Sequence, residues 1–156
     1  MSLSKYESSV KHIAENVDVV YDRFSDMRNL QALRDRMSDP DTLSQISGQV
    51  DSEKLEEARK YLKEMTFDAD SLSVSTPVGA LRLVIVERDA PKCIKLAGEG
   101  SPIPVYVWIQ LLPEGEQATK MRVTVGAEVN MFMKGMVSKP LQQAAEGIAT
   151  LFSVMR

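Results

Sequence analysis

The sequence has very little of the residues that covalent and metal chemistry use most. Its 156 residues include one cysteine, Cys93, and one histidine, His12. A single thiol cannot form an internal disulfide or a cysteine-based zinc site, and it points to a reducing compartment. His12 and Cys93 form the only Cys-His combination, and nothing in their spacing brings them together. The sequence therefore predicts no metal site, no cofactor and a cytoplasmic location.

Long apolar runs and an excess of positive charge are also missing. No apolar stretch approaches the roughly 20 residues of a membrane-spanning helix, and Met1 to Lys11 lacks the apolar segment of a signal peptide. The net charge is −3. This balance disfavours nucleic acid and anionic membranes as partners, although an acidic total does not exclude a local basic patch. We expect no nucleic-acid partner and no integral membrane association.

What is present is an ordinary globular composition, with 44% hydrophobic and 26% charged residues. This length and composition fit one domain over residues 1–156. Residues 5–13 are compatible with a strand, and Asn16 then caps a helix that a second short helix follows. Residues 38–51 carry the proline and glycine signals of a loop, and the apolar spacing after them predicts another helix near 52–65.

The second half of the chain is dominated by strands. From Asp68 onward the hydrophobic period changes to two, and five strands with short turns imply an antiparallel meander. Thr119–Val129 has the clearest alternation of apolar and polar residues. A helix from Asn130 to about Met155 would span roughly 37 Å, long enough to cross a whole sheet. Pro140 lies inside this helix and predicts a kink or a break.

Four segments carry a resemblance to a known superfamily. Residues 10–21 (VKHIAENVDVVY) look like an opening strand that leads into a first helix, and residues 25–30 look like the link after it. Residues 108–125 look like a penultimate hairpin, and residues 133–152 look like a terminal grip helix. In this order they resemble the START-like, or SRPBCC, helix-grip superfamily, which includes polyketide cyclase/dehydrase-like and lipid-transfer domains.

The resemblance implies an α+β fold. A curved antiparallel sheet of about six to seven strands would wrap a long C-terminal helix, with two short helices near the N-terminus. The extra helix near 52–65 departs from the superfamily, whose members often have a strand or loop in this region.

The resemblance also implies a cavity between the sheet and the C-terminal helix that binds a small apolar molecule, lipid- or polyketide-like. We favour a non-catalytic carrier or sensor, because no spacing marks a titratable partner for His12. Two alternatives stay open, a cyclase- or dehydratase-like enzyme that uses the same cavity and a protein-interaction, co-chaperone-like module. The ligand's identity and the oligomeric state are also open.

The residues predicted to bind the ligand come from the concave face of the sheet and the first half of the last helix. The methionines fit an adaptable apolar cavity, although methionine is also ordinary core filler. His12 and Tyr106 are candidates for polar contacts. Because successive side chains of a strand point to opposite faces, Tyr106 and Trp108 lie on one face and Ile109 on the other. This alternation does not decide which of the two faces lines the cavity. The predicted ligand-binding residues are Leu83, Ile85, Trp108, Ile109, Met121, Val123, Val125, Phe132, Met133, Met136 and Val137.

Overall fold

The computed structural model describes residues 2–36, 65–76, 79–100 and 103–153. Within them the helices are α1 (Val17–Phe24), α2 (Arg28–Arg36) and α3 (Met131–Ser153). The strands are β1 (Ser2–Glu7), β2 (Lys11–Ile13), β3 (Thr66–Asp68), β4 (Ser71–Thr76), β5 (Gly79–Asp89), β6 (Cys93–Glu99), β7 (Val105–Pro113) and β8 (Thr119–Val129). The predicted loop at 38–51 and the predicted helix near 52–65 lie outside the described residues, except for Met65.

The described strands form one antiparallel sheet of eight strands. Their order is β1-β8-β7-β6-β5-β4-β3, and β2 pairs with β8 beside β1. The strand predicted over 5–13 is divided, because the chain leaves the ladder at Ser8, whose hydroxyl accepts a hydrogen bond from the Val123 amide. This division and the short β3 account for a strand number slightly above the predicted six to seven. A register shift between Ile85 and Glu87 places a bulge in β5, and bulges bend a strand.

The alternation predicted for β8 is confirmed, because every second side chain of this strand is buried on one face of the sheet. Neighbouring strands continue the same apolar face, since Ile109 of β7 lies opposite Val123 of β8. These side chains point to the concave side, where the helices pack. The buried apolar residues of β8 on this face are Met121, Val123, Val125, Ala127 and Val129.

Helix α1 begins where the sequence predicts. Asn16 is its N-cap, and the side-chain oxygen of Asn16 accepts a hydrogen bond from the amide of Asp18 at 2.9 Å. The amide group of the same side chain donates to the Glu116 carbonyl at 2.8 Å, which joins the start of α1 to the β7–β8 loop. The apolar stripe of α1 then faces the core through Val17, Val20, Tyr21 and Phe24.

Helix α3 is continuous from Met131 to Ser153. Of the kink or break predicted at Pro140, the break does not occur, and the kink stays a prediction. Tyr6 of β1 and Ser138 are linked by a 3.1 Å hydrogen bond between their hydroxyls, and Glu146 accepts a hydrogen bond from the Ser9 hydroxyl. These contacts show that α3 lies beside β1 at Ser138 and beside the segment between β1 and β2 at Glu146. No helix in the part of the chain that the structure describes is both long enough and apolar enough to span a membrane.

The core lies between the concave face and the helices. Phe24 of α1 meets Phe152 of α3 edge to face, with their ring centroids 4.9 Å apart. The fully buried residues of α3 all lie in its second half, from Ala145 onward. The two halves of this helix therefore pack differently on the sheet, and the difference defines the candidate site.

Candidate functional site

The predicted residues of the sheet meet on the concave face. In the antiparallel register, the inward side chains of β5, β7 and β8 lie on the same face of the sheet. Strand β6 lies between β5 and β7, and its residues Ile94 and Leu96 point to the same face. The described residues that are buried include serine and threonine but no charged residue. The structure thus brings together, as a buried apolar wall, Leu83, Ile85, Ile109, Met121, Val123 and Val125.

Trp108 and Tyr106 lie on the opposite, convex face of the sheet. Their ring centroids are 5.8 Å apart, and the Lys95 ammonium lies 5.1 Å from the centroid of the Tyr106 ring. The Lys5 ammonium lies 5.3 Å from the centroid of the Trp108 ring, so both rings make cation–π contacts. Because successive side chains of a strand alternate between faces, Trp108 cannot share the concave wall with Ile109.

His12 also faces away from the concave side. It lies opposite Lys120 in the ladder between β2 and β8, whereas the next residue of β8, Met121, points inward. The Nδ1 atom of His12 is 2.6 Å from a carboxylate oxygen of Glu114 in the β7–β8 loop. Both side chains are partly exposed, so this contact links two surface segments and does not present His12 to the interior.

The predicted residues of α3 divide between two sides of the helix. Met133 and Val137 are half-buried, whereas Phe132 is 84% exposed and Met136 is 71% exposed. Residues four apart share a side of a helix, so each pair forms its own surface. The structure therefore leaves Met133 and Val137 on the partly covered side of α3 and turns Phe132 and Met136 to solvent.

Sequence reasoning missed a polar group in the core, the hydroxyl of Tyr21. The sequence places Tyr21 in the apolar stripe of α1, and the residue is indeed only 6% exposed. Among the described residues its hydroxyl is the buried side-chain polar atom that lacks a hydrogen-bond partner. Burial raises the pKa of this phenol, which stays a neutral donor at physiological pH. No sequence pattern reveals this unpaired hydroxyl.

Acidic and basic side chains of the described residues pair mainly at the surface. Asp70 forms an ion pair with Arg88, and Glu99 forms one with Arg82, in both cases between partly exposed groups. Within the described ranges, no three side chains of histidine, cysteine, aspartate or glutamate come together in a way that could hold a metal ion.

Comparison with known proteins identifies the fold. No protein-family model matches the sequence, and no curated protein matches it. A START superfamily protein from Mycobacterium smegmatis superposes with a TM-score of 0.57 at 11% identity, over 97% of this chain and 94% of that protein. The fold is START-like. Norcoclaurine synthase from Thalictrum flavum, solved in complex with dopamine and hydroxybenzaldehyde, gives a TM-score of 0.61 at 12% identity, over 97% of this chain and 85% of that one.

These similarities confirm the predicted START-like, helix-grip α+β fold. At such low identity they establish the course of the backbone, and the activity of a neighbour does not transfer with it. In this START-like chain, the concave apolar wall and the partly exposed first half of α3 are the features on which a functional proposal can rest.

Proposed function

We propose that this START-like protein, as one domain of residues 1–156, binds a small apolar ligand of the lipid or polyketide kind and acts as a cytoplasmic carrier or sensor. The observation that carries the proposal is the uneven packing of α3. The second half of the helix buries Ala145, Ala149, Leu151 and Phe152, whereas no residue of α3 before Ala145 is fully buried. The sheet beside this first half, where Tyr6 meets Ser138, is apolar, so an apolar molecule that entered between helix and sheet would extend the packing of α3.

The ligand would lie between the concave wall and the half-buried side of α3, represented by Met133 and Val137. Removing apolar surface from water contributes about 25 cal/mol per Å², which must exceed the free energy of ordering the ligand. Methionine on the helix side suits a ligand of irregular shape, because its side chain is flexible and polarisable. Phe132 and Met136 are not part of this proposal, since they face solvent.

The absence of charged residues among the described buried side chains supports a carrier or sensor over an enzyme. A cyclase or dehydratase needs a general acid or base directed at the ligand. His12 and Tyr106, the polar candidates from the sequence, lie on the convex face. The likeness to norcoclaurine synthase is one of fold, and the unpaired Tyr21 hydroxyl is the described buried group that such an enzyme could use as a proton donor.

Native mass spectrometry of the protein as purified tests the proposal first. We expect a co-purifying mass in the range of a lipid or an aromatic polyketide. The delipidated protein should then bind one class from a panel of fatty acids, sterols and aromatic polyketides, with binding measured by fluorescence displacement. If the folded, delipidated protein bound no member of the panel, the proposal would be rejected.

The variant Val137→Glu locates the ligand. A carboxylate on the half-buried side of α3 should weaken binding roughly 10-fold or more, because an unpaired charge in an apolar site is strongly unfavourable. The matched control is Val86→Glu, which places the same charge on an exposed residue of the β5 bulge and should leave the affinity unchanged. Equal affinities for the two variants would place the ligand elsewhere.

A further inference from the structure

The first turns of α3 carry three strongly exposed hydrophobic side chains. Met131 is 92% exposed, and the exposed side chains of Phe132 and Met136 follow it, one turn of helix apart from each other. We call these three residues the α3 patch. Elsewhere in the described residues, large exposed hydrophobic side chains occur once in an element, as Val86 in β5 and Leu112 in β7 do. Single exposed residues are normal at a protein surface, whereas a cluster marks an interaction site.

The charged residues within the first half of α3 have one sign. Between Glu128 and Glu146 the chain carries Lys134 and Lys139 and no acidic residue. Lys139 is three residues after Met136, so it lies on the same exposed side of α3. The amino-terminal end of a helix adds a partial positive charge to this region. The first half of α3 is thus a basic stretch in a chain whose net charge is −3, and it carries the most exposed hydrophobic side chains of the described residues.

We propose that the α3 patch docks the protein on an anionic lipid surface. Phenylalanine and methionine side chains enter the boundary between headgroups and acyl chains, as they do in helices that lie on membranes. The stem of Lys139 can lie along the apolar surface while its ammonium group reaches the lipid phosphates. The acidic total charge had disfavoured an anionic membrane, and the local surface on α3 changes that expectation.

A second copy of this chain fits the α3 patch less well. A stable protein interface uses about 20 to 30 residues from each partner, far more than the α3 patch supplies. In a symmetric dimer the same patch meets itself, which would bring the lysines of both copies into one contact region without an acidic partner from this stretch of α3. A lipid surface requires neither a large matched footprint nor an acidic side chain.

Vesicle flotation tests the proposal without any added apolar ligand, so its outcome is separate from that of the cavity experiments. The wild-type protein should float with vesicles of phosphatidylcholine and phosphatidylglycerol, and less with phosphatidylcholine alone. The double variant Phe132→Ser, Met136→Ser should lower partitioning into both kinds of vesicle roughly 10-fold or more. Lys139→Glu should lower partitioning roughly 10-fold for the anionic vesicles only.

Matched controls come from other exposed positions. Val86→Ser with Leu112→Ser removes two exposed hydrophobic side chains elsewhere, and Lys92→Glu reverses one exposed charge in the β5–β6 turn; both should partition like the wild type. Thermal unfolding checks that every variant folds. The proposal is overturned if the wild-type protein does not float with anionic vesicles, or if the α3 variants float with them as well as the wild type. Light scattering that shows a dimer which Phe132→Ser, Met136→Ser dissociates would also overturn it, in favour of a second copy.

Discussion

Trp108, the only tryptophan of the chain, depends on a glycine of the neighbouring strand. A Cβ atom added to Gly126 would come within 2.7 Å of the Trp108 ring. The ring therefore lies directly over the backbone of β8, where the ammonium groups of Lys5 and Lys95 reach its face. Any side chain at position 126 therefore requires the Trp108 ring to shift.

Gly126→Ala should lower the free energy of unfolding by about 1–3 kcal/mol, because the added methyl group overpacks the contact with Trp108. Urea denaturation followed by tryptophan fluorescence measures both the stability and the environment of the ring. The control is Gly147→Ala in α3, where an added Cβ has no neighbour within 4 Å. This substitution should stabilise the protein by up to about 1 kcal/mol. Equal stabilities of the two variants would contradict the contact.

Glu146 of α3 contacts Ser9 and Lys11 near the start of β2, so its protonation bears on the contact between α3 and the sheet. Burial by itself raises the pKa of its carboxyl, but hydrogen bonds from Ser9 and the charge of Lys11 outweigh burial and hold the pKa below its ordinary value. The Lys11 ammonium lies 3.3 Å from this carboxylate. Since the pKa is lowered in the folded state, the carboxylate stabilises the fold above its unfolded-state pKa, and this contribution is lost as pH falls through the folded-state pKa.

Glu146→Gln should therefore be less stable than the wild type near pH 7, and the difference should shrink as pH falls below about 4.5, the ordinary pKa of a glutamate. Chemical denaturation at a series of pH values gives this difference directly. Lys11→Met should cause part of the same loss, and the double variant should lose less than the sum. A difference that stayed constant down to strongly acidic pH would show that the charge of Glu146 is not involved.

At the scale of elements, Pro140 destabilises α3 because it lies inside the helix. Proline has no amide hydrogen, so the Met136 carbonyl four residues earlier loses its helical donor. The helix nevertheless continues through Pro140 to Ser153. Packing of its second half and the contact between Ser138 and Tyr6 hold both sides of the proline in place, which is why local propensity does not break the helix.

Pro140→Ala should raise the free energy of unfolding by up to about 3 kcal/mol, since it restores one backbone hydrogen bond and removes a steric clash. The readout is the midpoint of thermal unfolding, followed by circular dichroism. Position 140 is exposed, so the change removes no core contact. A lower midpoint for the variant would mean that α3 requires the local geometry that proline imposes.

At the scale of the whole molecule, one phenylalanine of α3 lies in the core and another lies at the surface. Phe152 is 2% exposed and packs on Phe24 of α1, whereas Phe132 is 84% exposed. Phe152→Ala should lower the free energy of unfolding by about 3–5 kcal/mol, because it leaves a cavity where α1, α3 and the sheet meet. Phe132→Ala should change it by less than about 0.5 kcal/mol. Guanidinium denaturation of both variants provides the comparison, and similar losses would contradict the exposure of the first half of α3.

The sequence by itself determined the elements whose signals are local. The alternation in β8, the cap at Asn16 and the helical spacing of the last 20 or so residues depend on near neighbours in the chain, so the pattern predicts them without the fold. The order of these elements also predicted the START-like fold that the structural comparisons confirm. The helix near 52–65 stays a prediction.

Only the tertiary structure decided which faces are inside. Tyr106 and Trp108 alternate with apolar neighbours on β7, and both faces of that strand are hydrophobic, so parity separates the faces without choosing one. The choice comes from α1, α3 and the adjacent strands, which cover the side of Ile109. The same holds for α3, where Phe132 and Met133 have similar hydrophobicity and different exposure. Burial depends on distant parts of the chain, and that is why the candidate site needed the fold.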